Sequence, residues 1–122
     1  MSLSPSFKEF LLEQMAQFGP VTIKRMFGGA GVYRDGMMFA VVDNDIVYFK
    51  TDDENRGLFE VEGLAAFVFQ TANGHAMTIK YYRAPERCMD DAGDMAEWCR
   101  IGFGAALRAA QGKRQKFEAL AN

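Results

Sequence analysis

Lys24-Arg25-Met26-Phe27-Gly28-Gly29-Ala30-Gly31-Val32-Tyr33-Arg34-Asp35-Gly36-Met37-Met38-Phe39-Ala40-Val41-Val42 is the stretch whose reading decides the fold. Asp35-Gly36 separates two runs of alternating residues. Asp-Gly suits a two-residue type I′ turn because both central positions need positive φ. That turn sets Arg34 opposite Met37, Val32 opposite Phe39 and Ala30 opposite Val41 on one face. On the other face Tyr33 meets Met38, Gly31 meets Ala40 and Gly29 meets Val42. The second face then carries a shallow trough, and glycine inside a strand marks a bulge or a close approach by other groups.

Outward from this hairpin, Val21 to Phe27 alternates as a strand. Pro5 to Phe18 reads as a helix, with Ser4 as N-cap and Pro5 at its first position, or with Ser6 and Glu9 as a capping box. Phe7, Phe10, Leu11, Met15 and Phe18 share one face of that helix, and Gly19-Pro20 stops it. Beyond the hairpin, Asp43-Asn44-Asp45 turns the chain into a strand from Ile46 to Lys50. Ile46 and Tyr48 on one face and Val47 and Phe49 on the other call for cover on both sides, with helices as the candidates. Asp52, Asp53 and Glu54 suit a helix start, and a short helix through Leu58, Phe59 and Val61 ends at Gly63. Two more strands, Ala65 to Thr71 and Met77 to Arg83, flank the Asn73-Gly74 turn. A closing helix runs from about Asp91 to Gln111, with Met95, Trp98, Gly102, Ala105 and Ala109 on one face. Gly102 and Gly104 are costly in a helix, and close packing against the trough at Gly29 and Gly31 is the expected compensation.

The fold class is therefore α+β: an antiparallel meander sheet with hairpins, packed by N-terminal and C-terminal helices. Residues 1–112 form the expected domain, and 113–122 a basic tail carrying Phe117 and Leu120. The 122 residues, 49% apolar and 25% charged, with a formal charge of −2, describe one ordinary globular unit and argue against a DNA-coating role. Cys88 and Cys99 form no Cys-x-x-Cys unit and read as a reduced pair. No apolar run reaches the roughly 20 residues of a membrane span and no signal peptide is visible, so a cytoplasmic address is expected.

Motifs for chemistry are sparse. Gly29-x-Gly31 lacks the third glycine of a dinucleotide fingerprint, because Arg34 stands there, and a strand follows where a helix is needed. His75 is the lone histidine, and one histidine with two distant cysteines has no metal-ligand spacing. Asp90, Asp91 and Asp94 read as helix-start residues rather than general acids. No catalytic, cofactor-binding or metal-ligating residue is assigned, and no cofactor is expected. Lys24, Arg25, Arg34, Lys50, Lys80 and Arg83 with Tyr33, Tyr48, Tyr81 and Tyr82 have the character of a single-strand-binding sheet, but the acidic 86–97 segment opposes it.

The run Arg25-Met26-Phe27-Gly28-Gly29-Ala30-Gly31-Val32-Tyr33, followed by Gly36, Phe39-Ala40, Tyr48-Phe49-Lys50 and Tyr81-Tyr82-x-x-Pro85, resembles the N-terminal domain of the TfoX/Sxy family. The resemblance extends from about Phe7 to Ala110 and includes the leading amphipathic helix, Gly63 before a Phe-rich strand, and a closing helix with Trp98. It implies a small α+β domain tied to natural competence, whose members act as coactivators beside the cyclic-AMP receptor protein without established enzymatic activity. Many members add a C-terminal helical domain, so a stand-alone N-terminal domain is expected here. The family supplies no agreed catalytic or ligand residues.

The resulting expectation is a non-enzymatic regulatory domain, a competence or transcription co-regulator that works by protein–protein contact. Its candidate interaction residues are Lys24, Arg25, Tyr33, Arg34 and Lys50, with Gly28, Gly29, Gly31, Gly36, Tyr81, Tyr82 and Pro85 as the structural motif. The expected partner is a protein of the transcription machinery, with no membrane. A nucleic-acid-binding module and a small-ligand or uncharacterised enzyme domain are the alternatives. Homodimerisation through the sheet edge or the Phe117–Leu120 tail is a further option.

Overall fold

The computed structural model describes residues 3–26, 28–70, 73, 74 and 76–121. Phe27, Thr71 and His75, which figured in the sequence reading, lie outside the described residues. The elements are α1 (Pro5–Gln14), β1 (Thr22–Met26), β2 (Gly29–Arg34), β3 (Met37–Asp43), β4 (Ile46–Lys50), α2 (Arg56–Val61), β5 (Ala66–Gln70), β6 (Ala76–Arg83), α3 (Arg87–Asp90) and α4 (Ala92–Ala121). The six strands form one antiparallel sheet in the order β1-β2-β3-β4-β6-β5. This is the α+β architecture expected from the sequence.

Local chemistry sets the turns. Asp35 and Gly36 have φ of 51° and 78°, and Asn44 and Asp45 have 52° and 59°, so both hairpins use the left-handed pairs that match strand twist. Met26 of β1 pairs with Gly29 of β2, and Gly28 has a φ of 79°. Ser4 Oγ accepts from the Phe7 N–H, with Pro5 at the first helical position, so the Ser4 cap is the one used. That helix ends at Gln14, four residues short of the expected Phe18, although Met15 and Phe18 remain buried.

The β2–β3 register departs from the expected hairpin. Tyr33 still faces Met38, but a bulge then shifts the pairing, so that Val32 faces Ala40, Gly31 faces Val41 and Ala30 faces Val42. The reason lies in the core. Phe39 packs between Phe18 and Phe103, at centroid distances of 5.2 and 6.0 Å, while its neighbour Ala40 is also fully buried. Strict alternation would expose one of them, and the extra residue of a bulge lets both turn inward.

With that register one face of the sheet runs Ile23–Val32–Ala40–Phe49–Tyr82–Ala66, and beside it Ala30–Val42–Val47. This face carries the core, shared with Leu11 and Met15 of the N-terminal segment and with Met95, Trp98, Cys99 and Ala106 of α4. A Cβ on Gly102 would lie 3.0 Å from the Phe39 carbonyl oxygen and 3.1 Å from Phe49 Cδ1, so α4 approaches the sheet at backbone distance there. Gly102 therefore packs on Phe39 and Phe49, not on the Gly29/Gly31 trough as the sequence reading proposed. The trough lies on the opposite face. The expectation that helices cover both faces fails with it, since α1 and α4 both pack on the Phe49 side.

The closing segment is longer than expected. A one-turn α3 precedes α4, whose N-terminus is fixed by Asp91 Oδ1 accepting from the Asp94 N–H at 2.9 Å. The 30 residues of α4 run through Gly112, where the sequence allowed a stop, and span about 45 Å at ~1.5 Å per residue. Phe117 and Leu120 on its last turns are 74% and 87% exposed. Arg108 anchors the middle of α4: Nε donates to Asp52 Oδ2 at 2.6 Å and Nη2 to Asp52 Oδ1 at 3.1 Å.

The Arg108 guanidinium holds the Asp52 carboxyl below its usual range. A depressed carboxylate pKa stabilises the fold above the unfolded value of about 4, and the contribution is lost as pH falls through the lower folded value. Both side chains keep partial solvent contact, which screens the pair. Asp52→Asn is therefore expected to cost about 1 kcal/mol at pH 7 and almost nothing near pH 2. Urea denaturation of both proteins at the two pH values checks this; an equal gap at both would remove the ion pair from the explanation.

Candidate functional site

Alternation along the strands assigns each candidate side chain to a face. On β1, Lys24 pairs with Gly31 on the open side, whereas Arg25 pairs with Ala30 on the helix side. Arg25 Nη1 donates to the Leu3 carbonyl at 2.9 Å and so ties the N-terminal segment to the sheet. Arg34 is also on the helix side. Its Nη1 donates to the Phe18 carbonyl at 2.6 Å, and its guanidinium lies 4.5 Å from the Phe18 ring centroid. Lys24, Tyr33 and Lys50 are brought together on the open face, while Arg25 and Arg34 make contacts within the core-side shell. Tyr81 and Tyr82 divide in the same way: Tyr81 pairs with Lys50 on the open side, and Tyr82 meets Phe59 on the helix side. Arg25, Tyr33 and Tyr82 thus do not converge on one cleft. Pro85 follows β6, and its carbonyl accepts from the Cys88 N–H.

The open face is not flat. Met26, Met38 and Val41 from one half of the sheet and Phe67 and Ile79 from the other line a single cavity of about 390 Å³, floored by backbone at Gly29. In a flat sheet β2 and β6 would stand about 14 Å apart, three spacings of ~4.8 Å, so the sheet must curl to bring these residues to one cavity. Its two register shifts, at Val32/Tyr33 and at Ala66/Val68, supply bends of the kind bulges make. Tyr48 and Phe67 close one side with ring centroids 4.7 Å apart. The glycines make room for the methionines: a Cβ on Gly31 would lie 2.7 Å from Met38 Sδ and 3.0 Å from Met26 Sδ. The trough is thus partly filled by two polarisable, adaptable side chains.

Two cation–ring pairs stand on the same open face as the cavity. Lys24 Nζ stands 5.1 Å from the Tyr33 ring centroid and Lys50 Nζ 5.4 Å from that of Tyr81. The Tyr33 hydroxyl donates to Met26 Sδ at 3.8 Å, which connects the first pair to the cavity wall. Tyr81 is only 6% exposed, and burial, with a smaller contribution from Tyr33, pushes its phenol up to about 12. Burial also lowers the Lys50 ammonium, helped by Lys113 and Lys80. Asp43 lines the cavity; burial raises the Tyr48 phenol, with Arg83 opposing and Asp43 adding to the rise.

Elsewhere the titratable groups serve structure. Cys88 and Cys99 are free, buried thiols; burial pushes Cys88 up to about 12 and Cys99 higher still. Neither is a reactive thiolate at neutral pH. Arg87 grips Glu62 through two 2.7 Å hydrogen bonds that hold the Glu62 carboxyl below its usual range. Among the described residues no group of three or more His, Cys, Asp and Glu side chains is arranged to hold a metal ion. No helix among them is long and apolar enough to cross a membrane.

Together these features define a small α+β domain with helices on one face of a curled sheet and an apolar cavity beside Lys–Tyr pairs on the other. Residues 13–106 match the family model of the TfoX N-terminal domain, and the chain belongs to that family. The family is known from competence and regulatory proteins and is not, in general, a family of enzymes. Comparison with curated proteins gives no match. The Met26, Met38, Phe67 and Ile79 walls of the cavity escaped the sequence reading; the available signal was that Met26 and Met38 share the face of the two glycines.

Proposed function

We propose that the chain is a non-enzymatic regulatory domain that acts by protein contact in competence-type transcription, with the open sheet face as its working surface. The observation that carries this reading is the uncovered apolar face beside the Lys24–Tyr33 and Lys50–Tyr81 pairs. A 122-residue domain that leaves such a face free of its own helices has a surface suited to a partner. Family membership supports a regulatory role, and the partner proposed is a transcription complex containing the cyclic-AMP receptor protein. Residues 113–122, the basic end of α4 with Phe117 and Leu120, are proposed as a secondary contact, distinct from the domain in residues 1–112.

The test is transcription in vitro from a receptor-dependent competence promoter, with purified RNA polymerase and the cyclic-AMP receptor protein. Adding the chain is expected to raise transcript yield several-fold, and Lys24→Glu with Lys50→Glu to abolish the gain. An unchanged yield with the wild-type chain overturns the reading. Direct nucleic-acid binding is separated by salt: counterion release predicts a steep fall in affinity with salt for naked DNA, whereas a protein contact leaves naked DNA unbound.

A further inference from the structure

The cavity has the dimensions and polarity of a small-molecule site. Its 390 Å³ lies within the usual ~300–1,000 Å³ of ligand pockets. At ~30 Å³ for a group the size of water, that is room for about a dozen non-hydrogen atoms. Its apolar lining is two methionines, two valines, an alanine, a phenylalanine and an isoleucine. Such a lining holds a flexible apolar chain and adapts to it, because methionine re-packs at little cost.

The ends of the cavity differ in charge. Tyr33 is the cross-strand partner of Met38, and Tyr81 stands two residues from Ile79 on β6, so both phenols border lining residues. Lys24 sits over the first ring and Lys50 over the second, and the strand registers set Tyr33, Met38, Lys50 and Tyr81 toward one end of their strands and Asp43 toward the other. Asp43 marks the other end, beside Tyr48 and Arg83. A ligand with a negative head therefore fits in one orientation, head toward Lys24 and Lys50 and tail toward Phe67. A cationic head gains nothing at the lysine end.

We propose that this cavity binds a single-chain aliphatic carboxylate of about ten carbons, with its chain between Met26, Met38 and Phe67 and its carboxylate at Lys24 and Lys50. This goes beyond the regulatory reading and does not require it. Tests on the purified chain alone therefore stand or fall apart from the transcription assay. Bound there, the carboxylate would neutralise the two lysines that the protein contact is proposed to use, making the site a means of small-molecule control over the same face.

The experiment is a titration of the folded chain with sodium decanoate, kept below its micelle concentration, followed by calorimetry and by amide NMR shifts. The expected result is saturable binding with a Kd at or below about 1 mM, in keeping with the efficiency of ligands this size. Shifts should centre on Gly29, Met38, Val41, Phe67 and Ile79. Decyltrimethylammonium should bind at least tenfold more weakly, and so should decanoate to the Lys24→Glu, Lys50→Glu double variant. Val41→Phe, which narrows the cavity, should remove the localised shifts. The proposal is overturned by non-saturable binding, by shifts centred on Phe117 and Leu120, by equal affinity for the cationic probe, or by unchanged affinity in the double lysine variant. The lysine variant changes side chains outside the core and keeps the test decisive if Val41→Phe fails to fold.

Discussion

Gly29→Val is expected to destabilise the protein by about 3 kcal/mol, at the upper end of what overpacking costs, and to lower the melting temperature by about 10 °C. A side chain at this position would point into the Val42 carbonyl oxygen across the β2–β3 ladder, and its next neighbour is backbone as well. Backbone in a paired strand cannot swing aside as a side-chain terminus can, so relief requires shifting β2 against β3. The neighbouring glycines are bound by different physics. A Cβ on Gly31 meets the sulfur atoms of Met38 and Met26 and the edge of Tyr33, all ends of movable side chains. Gly31→Ala is accordingly expected to cost less than about 1 kcal/mol while pushing the methionines into the cavity. Gly28 has open space around it but a φ of 79°, so Gly28→Ala pays only the left-handed backbone penalty of about 1–2 kcal/mol. Urea denaturation of the three variants gives the ranking. A Gly29→Val midpoint equal to wild type would show that close backbone approach is not what demands glycine there.

The three-glycine comparison also marks how far the sequence could be read. Asp35-Gly36 and Asn44-Asp45 were legible because their turn geometry is decided by residues within the turn. The family motif was legible for a related reason, being contiguous. The bulge at Phe39 was not, since it answers a demand from Phe18 and Phe103, residues at opposite ends of the chain. The side of the sheet that α4 covers was equally hidden. Gly102 and the Gly29/Gly31 pair both advertise close packing, but glycine does not state its partner, and the partners proved to be Phe39 with Phe49 for Gly102, the Val42 backbone for Gly29 and Met26 with Met38 for Gly31. For the candidate site, alternation alone separates Lys24 from Arg25 and Tyr33 from Arg34. What alternation lacks is the curl that brings Phe67 and Ile79 over β3, because it depends on β6 pairing with β4 and leaving β5 outside. Such pairings are chosen by the whole core and not by any one segment.

Asn55 carries the second large effect, and nothing in its local sequence announces it. The residue is only 4% exposed, and its side chain makes three hydrogen bonds to backbone from three parts of the fold. Oδ1 accepts from the Asp52 N–H at 2.9 Å, while Nδ2 donates to the Lys50 carbonyl at 3.2 Å and to the Ile101 carbonyl at 3.0 Å. It therefore clamps the end of β4, the turn before α2 and the middle of α4 around one amide. Asn55→Ala leaves the Asp52 N–H without its acceptor and removes a donor from the Lys50 and Ile101 carbonyls, and an unsatisfied buried group costs about 1–3 kcal/mol unless a water enters. A net loss of about 3 kcal/mol is expected. Asn55→Asp separates the hydrogen bonds from the volume: it keeps the acceptor toward Asp52 but turns a carboxylate on two carbonyl oxygens. Those oxygens and burial raise the pKa of the introduced acid, so the unfolded state ionises first and stability falls as pH rises through the ordinary aspartate range. Asn55→Asp should therefore approach wild type below about pH 4 and be at least as unstable as Asn55→Ala at pH 7. Denaturation midpoints at both pH values decide it. If the Asp variant showed no pH-dependent gap from Asn55→Ala, the clamp would owe its strength to packing rather than to the two donated hydrogen bonds.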